Sequence, residues 1–302
     1  MDTASSGIRI GIDIGGTKTE AIALDHLGRE LARRRVATER GSYDGTIRTV
    51  TALVATLESE LAVRGSVGIG IPGTISPASG LVKNANSTWL IGRPLDRDLE
   101  AALDRPVRLA NDADCFALSE ASDGAGAGFA TVFGVILGTG VGGGIVVHGR
   151  LLAGPNAIAG EWGHNPLPWP ADDERPGPLC YCGRRGCVET FLSGPALARD
   201  HGGGLDAEEI CASDRAEAVA AMGRYEDRLA RALASVINVI DPHVIVLGGG
   251  LSKVGRLYQA IPALWGRWVF SDRVETVLRP PRHGDSSGVR GAAWLWPVET
   301  PA

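Results

Sequence analysis

Residues Ile8–Leu24 read IRIGIDIGGTKTEAIAL. Ile8, Ile10, Ile12 and Ile14 alternate with Arg9, Gly11 and Asp13, the two-residue period of a β-strand. Gly15-Gly16 breaks the alternation and predicts a tight turn at positive φ, which glycine adopts without steric cost. Thr17, Lys18 and Thr19 lie on the return, and Ala21–Leu24 predicts a second strand. A glycine turn with bare N–H groups, two hydroxyls and a lysine carries the donors of a phosphate cradle. Asp13 ends the first strand, where a half-buried carboxylate is costly unless something binds it, so we expect it to position hydrated Mg²⁺. Alone, the stretch also fits an edge hairpin whose Asp13 and Lys18 pair in solvent.

A second copy changes the balance. Thr131–Val147, TVFGVILGTGVGGGIVV, aligns with Ile8–Leu24 without a gap, placing Gly138 on Gly15 and Gly134 on Gly11. Ile136 stands where the first copy has Asp13, and glycines follow at 140, 142, 143 and 144. Two strand–glycine turn–strand units facing across a cleft, one with an acid and one bare, could hold a triphosphate from both sides.

The 302 residues suffice for two domains with sizeable cores. Hydrophobic content of 44% and charged content of 22% are those of a globular protein. With a formal net charge of −5 and no basic tract beyond Arg33-Arg34-Arg35, read as a solvated surface run, nucleic-acid and anionic-membrane partners are not expected. Residues 1–7 lack an apolar secretion segment and no run has the length of a membrane span, so we expect a cytoplasmic protein.

Along the chain, 46–64 predicts a helix ended by Gly65, and Val67–Ile71 a strand broken by Pro72-Gly73. Asp98–Leu103 predicts a short helix and Val107–Ala110 a strand. Asn111-Asp112-Ala113-Asp114 opens a helix to about Ala125. Residues 154–190 are Gly/Pro/Trp-rich without period, a length usual for a functional segment or one tied down by something other than a core. Asp214-Arg215-Ala216-Glu217 fits a capping box opening a long helix that stops at Asp241-Pro242. Val244–Leu247 and Val274–Leu278 predict the last strands, with a closing helix through Trp296. Alternating strands and helices make the fold α/β.

Asp112 sits where a strand hands over to a helix, the end of α/β strands where ligands collect. Alone it reads as an N-cap; beside two phosphate hairpins it is also a candidate base, accepting a hydroxyl proton as that oxygen attacks a γ-phosphoryl group. Cys180, Cys182 and Cys187 cluster in a chain without a secretion signal, which points to metal rather than disulfides. With His164 they make a closed tetrahedral zinc set, Gly183 and Gly186 suiting a tight knuckle; His201 or Asp172-Asp173 could supply the fourth ligand instead. Such a zinc is structural. It would order 154–190 so that Glu161, His164 and Glu189 reach one substrate, the second His164 nitrogen facing the cleft. Cys115 and Cys211 read as ordinary semi-buried cysteines.

DIGGTKTE, GIGIPG, LANDAD, GTGVGGG, EWGHNPL, CYCGRRGCVE and LGGG together resemble the ROK family of sugar kinases and sugar-responsive repressors, from about Ile8 to Pro297. Lys83–Leu90, Glu161–Trp169 and Gly284–Trp296 are most similar to the family's bacterial fructokinases, also called manno(fructo)kinases. The resemblance implies an actin-like, hexokinase-like (ribonuclease H-like) two-domain ATPase fold with a central ligand cleft, usually dimeric. The small domain would be 1–115 joined by a final helix, 286–302, and the large one 116–285. It implies ATP–Mg²⁺ phosphorylation of a hexose with Asp112 as base. Asn86, Asn111, Asp112, Glu161, His164 and Glu189 would bind sugar hydroxyls. Gly15, Gly16, Thr17, Lys18, Thr139 and Gly140 would hold phosphates, with Gly248, Gly249 and Gly250 beside the adenosine. His164, Cys180, Cys182 and Cys187 would bind zinc.

The stretch likenesses make D-fructose the expected substrate, yielding fructose 6-phosphate, with mannose weaker. Glucose or N-acetylglucosamine is the alternative. A sugar-responsive repressor is more distant, since only seven residues precede the first strand. A silent sugar-binding protein is disfavoured because Asp13, Lys18 and Asp112 are all present.

Overall fold

Strand β1 (Arg9–Ile14) pairs antiparallel with β2 (Lys18–Leu24), setting Ile12 opposite Ala21 and Asp13 opposite Glu20. β3 (Glu30–Ala37) continues the antiparallel ribbon beyond β2. On the other side of β1, β4 (Ser66–Ile71) runs parallel, and β7 (Val107–Asn111) runs parallel to β4. Between them, β5 (Thr74–Ile75) and β6 (Val82–Lys83) form a small two-stranded sheet. The main order is β3-β2-β1-β4-β7. The computed structural model describes residues 7–297. Residues 1–6 and 298–302, at the ends of the first domain's expected segments, lie outside them.

The second half repeats the arrangement. β8 (Thr131–Leu137), β9 (Val141–Val147) and β10 (Arg150–Leu151) form the antiparallel ribbon, and β11 (Val244–Gly248) and β12 (Val277–Arg279) add in parallel, in the order β10-β9-β8-β11-β12. The duplication seen in the sequence is therefore one of topology, and the two sheets make the actin-like, hexokinase-like fold.

Helices α1 (Tyr43–Leu61), α2 (Leu95–Leu103) and α3 (Asp112–Ser122) belong to the first half. They are followed by α4 (Glu189–Leu192), α5 (Gly194–His201), α6 (Ala207–Cys211), α7 (Ala216–Ile240), α8 (Leu257–Trp265) and α9 (Ser287–Trp294). Each sheet has its own core. Ile10, Ile12 and Ile14 pack with Val50, Val54 and Leu57 of α1, and Phe133, Val135 and Leu137 with Tyr225, Leu229 and Leu233 of α7. Among the described residues no helix is long and apolar enough to cross a membrane.

α9 returns to the first sheet, lying on β1 and β4 and against α3. The approach is backbone to backbone. A Cβ on Gly68 would overlap the Ala292 carbonyl, and one on Gly291 the Cys115 carbonyl. Cys115 is thus fully buried under α9, not semi-buried. α3 also rests on β8 and β9, and it runs unbroken across the seam expected after residue 115.

Several local expectations are corrected. α1 starts before residue 46, because Ser42 caps it by accepting from Gly45 N at 2.9 Å, and it ends at left-handed Ala62 before Gly65 is reached. The Asp214 capping box does not form, since α7 begins at Ala216 with Arg215 at its cap. The reciprocal cap belongs to α6, where Asp206 accepts from Glu209 N and Glu209 from Asp206 N. Arg33-Arg34-Arg35 is not a loose surface run but lies in β3. Arg33 and Arg35 bind buried Glu20 at 3.0 and 2.8 Å, and Arg34 pairs with Glu60, charging an edge strand against further pairing.

Candidate active site

The first bend is closed by Gly15 N donating to Lys18 O at 3.0 Å. Neither Gly15 nor Gly16 takes positive φ, contrary to expectation. Gly15 is required for space, as a Cβ would stand 2.7 Å from Lys18 O, while Gly16 faces open space. Thr17 and Lys18 are exposed on the return. Thr19 points inward instead: its buried hydroxyl lies 2.9 Å from Thr38 Oγ1, which donates to Gly15 O at 2.8 Å. Thr19 therefore braces the bend from beneath and does not face a phosphate. The Asp13 carboxylate makes no hydrogen bond or ion pair among the described residues, its backbone being paired in the sheet. Its burial, with the charges of Asp112 and Glu20, pushes the carboxyl up to about 7 against the pull of Lys18. A carboxylate so placed is relieved by a cation.

At the second bend Gly138 N donates to Gly140 O at 3.0 Å, and Gly138 O accepts from Gly194 N at 2.8 Å. Thr139 is exposed at its tip. Glu189, the first residue of α4, reaches this bend, its Oε2 accepting from Val141 N at 2.9 Å above Gly140. From Gly138 and Thr139 a cavity of about 930 Å³ runs past Pro195 and Ala207 to Gly250, Lys253 and Arg256. Gly249 lines the neighbouring cavity. Gly248, by contrast, is buried at the end of β11, where a Cβ would stand 2.5 Å from the Phe116 ring; it serves packing rather than a ligand.

The second cavity, of about 510 Å³, brings together Asp13, Gly15, Gly16, Asn86, Asp112 and Gly249. Asp112 opens α3, with Asn111 before it as the N-cap. Asn111 Oδ1 and Asp112 Oδ1 both accept from Ala113 N at 2.8 Å. Asn111 also donates to Gly73 O at 3.3 Å, which leaves one amide hydrogen for other partners. Asp112 is open to the cavity, but the enclosing walls desolvate its carboxyl and raise it, the Ala113 N–H opposes, and Glu161 raises it further. Glu161 itself is exposed. Sequence reasoning missed Asp114, pushed up to about 7 by burial, Glu161 and Asp112, and also Arg40, Ser87 and Trp89, which line the second cavity. Asp114 lies in LANDAD and Ser87 and Trp89 in Lys83–Leu90, but only the tertiary fold shows that they face the site.

His164 Nδ1, Cys180 Sγ, Cys182 Sγ and Cys187 Sγ lie within 4.8 Å of one another. The Cys182–Cys187 and Cys180–His164 separations are both 3.6 Å. A tetrahedral ion with Zn–S bonds of about 2.3 Å sets its sulfurs about 3.8 Å apart, so the cluster has the required dimensions. Burial pushes the Cys187 thiol up to about 12, a cost that a bound cation removes. The rival ligands lie elsewhere: His201 accepts from Gly203 N, and Asp172 faces Arg175. The second His164 nitrogen does not open freely to the cleft; Nε2 is 2.9 Å from the hydroxyl of Tyr181, whose ring meets the imidazole edge-on.

The ROK family matches residues 9–299. The chain is 41% identical over 304 residues to the N-acetyl-D-glucosamine kinase of Pasteurella multocida, covering 96% of this chain and 99% of the relative. With that of Photobacterium profundum it shares 40% over 296 residues, 94% and 98% of the two chains. Among solved structures it is similar to the ROK hexokinase of Thermus thermophilus, with TM-score 0.84, 32% identity and coverage of 95% and 97%. It is also similar to a ROK family glucokinase from Streptomyces griseus in complex with glucose and AMPPNP, with TM-score 0.77, 30% identity and coverage of 96% and 99%.

Proposed function

The chain belongs to the ROK family and is an ATP-dependent sugar kinase, and on that premise we propose that its acceptor is N-acetyl-D-glucosamine. The observation that carries this is the 40–41% identity, along nearly the whole chain, with kinases named for that sugar. The expectation of fructose rested on three short stretches, and an end-to-end likeness outweighs them.

In this reading the adenosine occupies the larger cavity, beside Gly249 and Gly250, and the phosphates lie over Gly15–Lys18 and Gly138–Gly140. Asp112 accepts the proton of the attacking sugar hydroxyl; its raised pKa makes it a better proton acceptor than an ordinary aspartate. Asn86 and Glu161 hold the other hydroxyls, with Glu189 Oε1 and the remaining Asn111 N–H, the atoms not already spent on Val141 and Gly73, and His164 joins them when Nε2 exchanges the Tyr181 hydroxyl for one of the sugar. Oriented pairs of this kind reject analogues lacking the group they bind. Asp13 would hold hydrated Mg²⁺, which supplies charge neutralisation for the phosphates. His164, Cys180, Cys182 and Cys187 would hold one structural zinc. We place the protein in the cytoplasm as a homodimer of two-lobed subunits, the lobes being the first sheet with α9 and the second sheet, with α3 shared.

A coupled ADP-release assay over N-acetylglucosamine, glucose, mannose and fructose tests the reading. The expected kcat/KM is highest for N-acetylglucosamine, by about tenfold or more, the worth of one satisfied buried hydrogen bond. A preference for fructose would restore the earlier expectation.

A further inference from the structure

Among the lining residues of the cavity that holds Asp13 and Asp112 there is one cation, Arg40. Its neighbours in sequence are occupied: Arg33 and Arg35 bind Glu20, and Glu39 pairs with Arg48. Arg40 is exposed and makes no hydrogen bond or ion pair among the described residues. An exposed arginine is ordinarily a solvated one. This one differs in its tether. Thr38 N donates to Thr17 O at 3.0 Å, Thr38 Oγ1 donates to Gly15 O at 2.8 Å, and Thr19 lies against Thr38 from beneath. The segment that carries Arg40 is thus bonded to both sides of the first glycine bend, which keeps the Arg40 backbone near whatever anion the bend holds.

We propose that Arg40 is a catalytic residue that grips the γ-phosphoryl group during transfer, an inference that rests on the phosphates lying over the first bend. In the step, the bond from the γ-phosphorus to the β–γ bridging oxygen breaks and a bond to the sugar oxygen forms. The hydroxyl proton passes to Asp112, and ADP leaves with the electron pair on its β-phosphate. Charge spreads over the three equatorial oxygens of the transferring group. Arg40 meets them with a planar fork of N–H donors that a lysine cannot reproduce. Asp13 and Asp112 both repel an incoming phosphate, so an unneutralised cation lining the same cavity offsets the field of the very residues the reaction needs.

Calorimetric titration of Arg40→Ala and Arg40→Lys with β,γ-imido-ATP and with ADP, both with Mg²⁺ and without sugar, tests this. Arg40→Ala should bind the imido nucleotide about tenfold more weakly or worse, and ADP within about twofold of the parent, because only the former presents a γ-group. Its kcat should fall about 10²- to 10³-fold with the sugar KM little changed, and Arg40→Lys should regain nucleotide binding more than turnover. Equal weakening for both nucleotides, or an unchanged imido-ATP affinity, overturns the proposal. So does a raised sugar KM with intact kcat. Since the titration needs no sugar, a wrong acceptor would leave its outcome standing and sink only the assignment of N-acetylglucosamine.

Discussion

Removing the charge of Glu174 should loosen the irregular segment that carries Glu161, His164 and the cysteines. Glu174 is 7% exposed and accepts from Arg228 Nε at 2.7 Å, from Arg231 Nη1 and Nη2 at 2.9 Å each, and from Ala171 N at 2.9 Å. These bonds tie the segment to α7, alongside the apolar contacts of Trp162, Leu167 and Val188 in the core they share with that helix. Burial alone would raise the Glu174 carboxyl, but the two arginines outweigh it and hold it at about 2 against an ordinary 4.5. That shift corresponds to about 3 kcal/mol at neutral pH. A second route gives a similar figure. Breaking a buried pair costs about 3–5 kcal/mol, and less here because Arg228 keeps Asp200 and Arg231 keeps Asp227. Glu174→Gln, nearly isosteric, should therefore lose about 2–3 kcal/mol in urea unfolding at pH 7 with metal held constant. The sign of the pH dependence follows from a depressed folded pKa. The contribution is whole above about 4.5 and is lost as pH falls through about 2, so parent and variant should converge across that window. A gap at pH 7 under about 0.5 kcal/mol, or one that widens in acid, would refute the reasoning.

Asp112→Asn should lower turnover about 10²- to 10⁴-fold while calorimetry still detects sugar binding; near-normal turnover would put the base elsewhere. Because Asp112 must be ionised and desolvation raises its pKa, kcat/KM should fall on acidification with a limb above the ordinary aspartate value of about 4, and a profile flat down to that value would contradict the assignment. Purified protein should contain about one zinc per chain and Cys182→Ser much less, by metal analysis; equal zinc in both would exclude the cluster. Gly291→Ala should destabilise by about 1–3 kcal/mol or more, read from the urea midpoint, because its methyl meets the Cys115 carbonyl.

The paired hairpins were legible because a period of two and a fixed glycine spacing are local signals, and both survive folding. The charged edge was not. In β3 the alternation is masked by three adjacent arginines, and only Glu20, opposite them on β2, explains why they form a strand. The misplaced helix cap has a similar cause. Asp206–Glu209 and Asp214–Glu217 present the same pattern, and the chain direction that decides between them is set by packing. The cysteine knuckle could be read because its glycines mark it: Gly183 and Gly186 take φ of 86° and 72°. Arg40 could not, as it meets the site through a bend distant in sequence, nor could the role of Asp114, which burial and Glu161 give it on folding.

The glycine run of the second hairpin shows how one sequence signal can carry two meanings. Read against the first hairpin, Gly142-Gly143-Gly144 looks like more phosphate-binding loop. Yet these residues lie within β9, past the bend. A Cβ on Gly144 would stand 2.7 Å from the Ala113 carbonyl, one on Gly142 3.1 Å from Ala113 Cβ, and one on Gly143 2.7 Å from the Trp162 ring. The bare strand therefore lets the first turn of α3 and the Glu161–His164 segment lie directly on it. Trp162 completes the contact by donating to Gly142 O at 2.9 Å. The first hairpin keeps Asp13, Lys18 and Glu20 where the second has Ile136, Val141 and Gly143. So one copy supplies charge, and the other supplies a surface smooth enough to bring Asp112 and Glu161 close to each other. Both hairpins keep a glycine bend, closed one residue tighter in the second (Gly138 N to Gly140 O) than in the first (Gly15 N to Lys18 O), and the residues around the two bends divide the work.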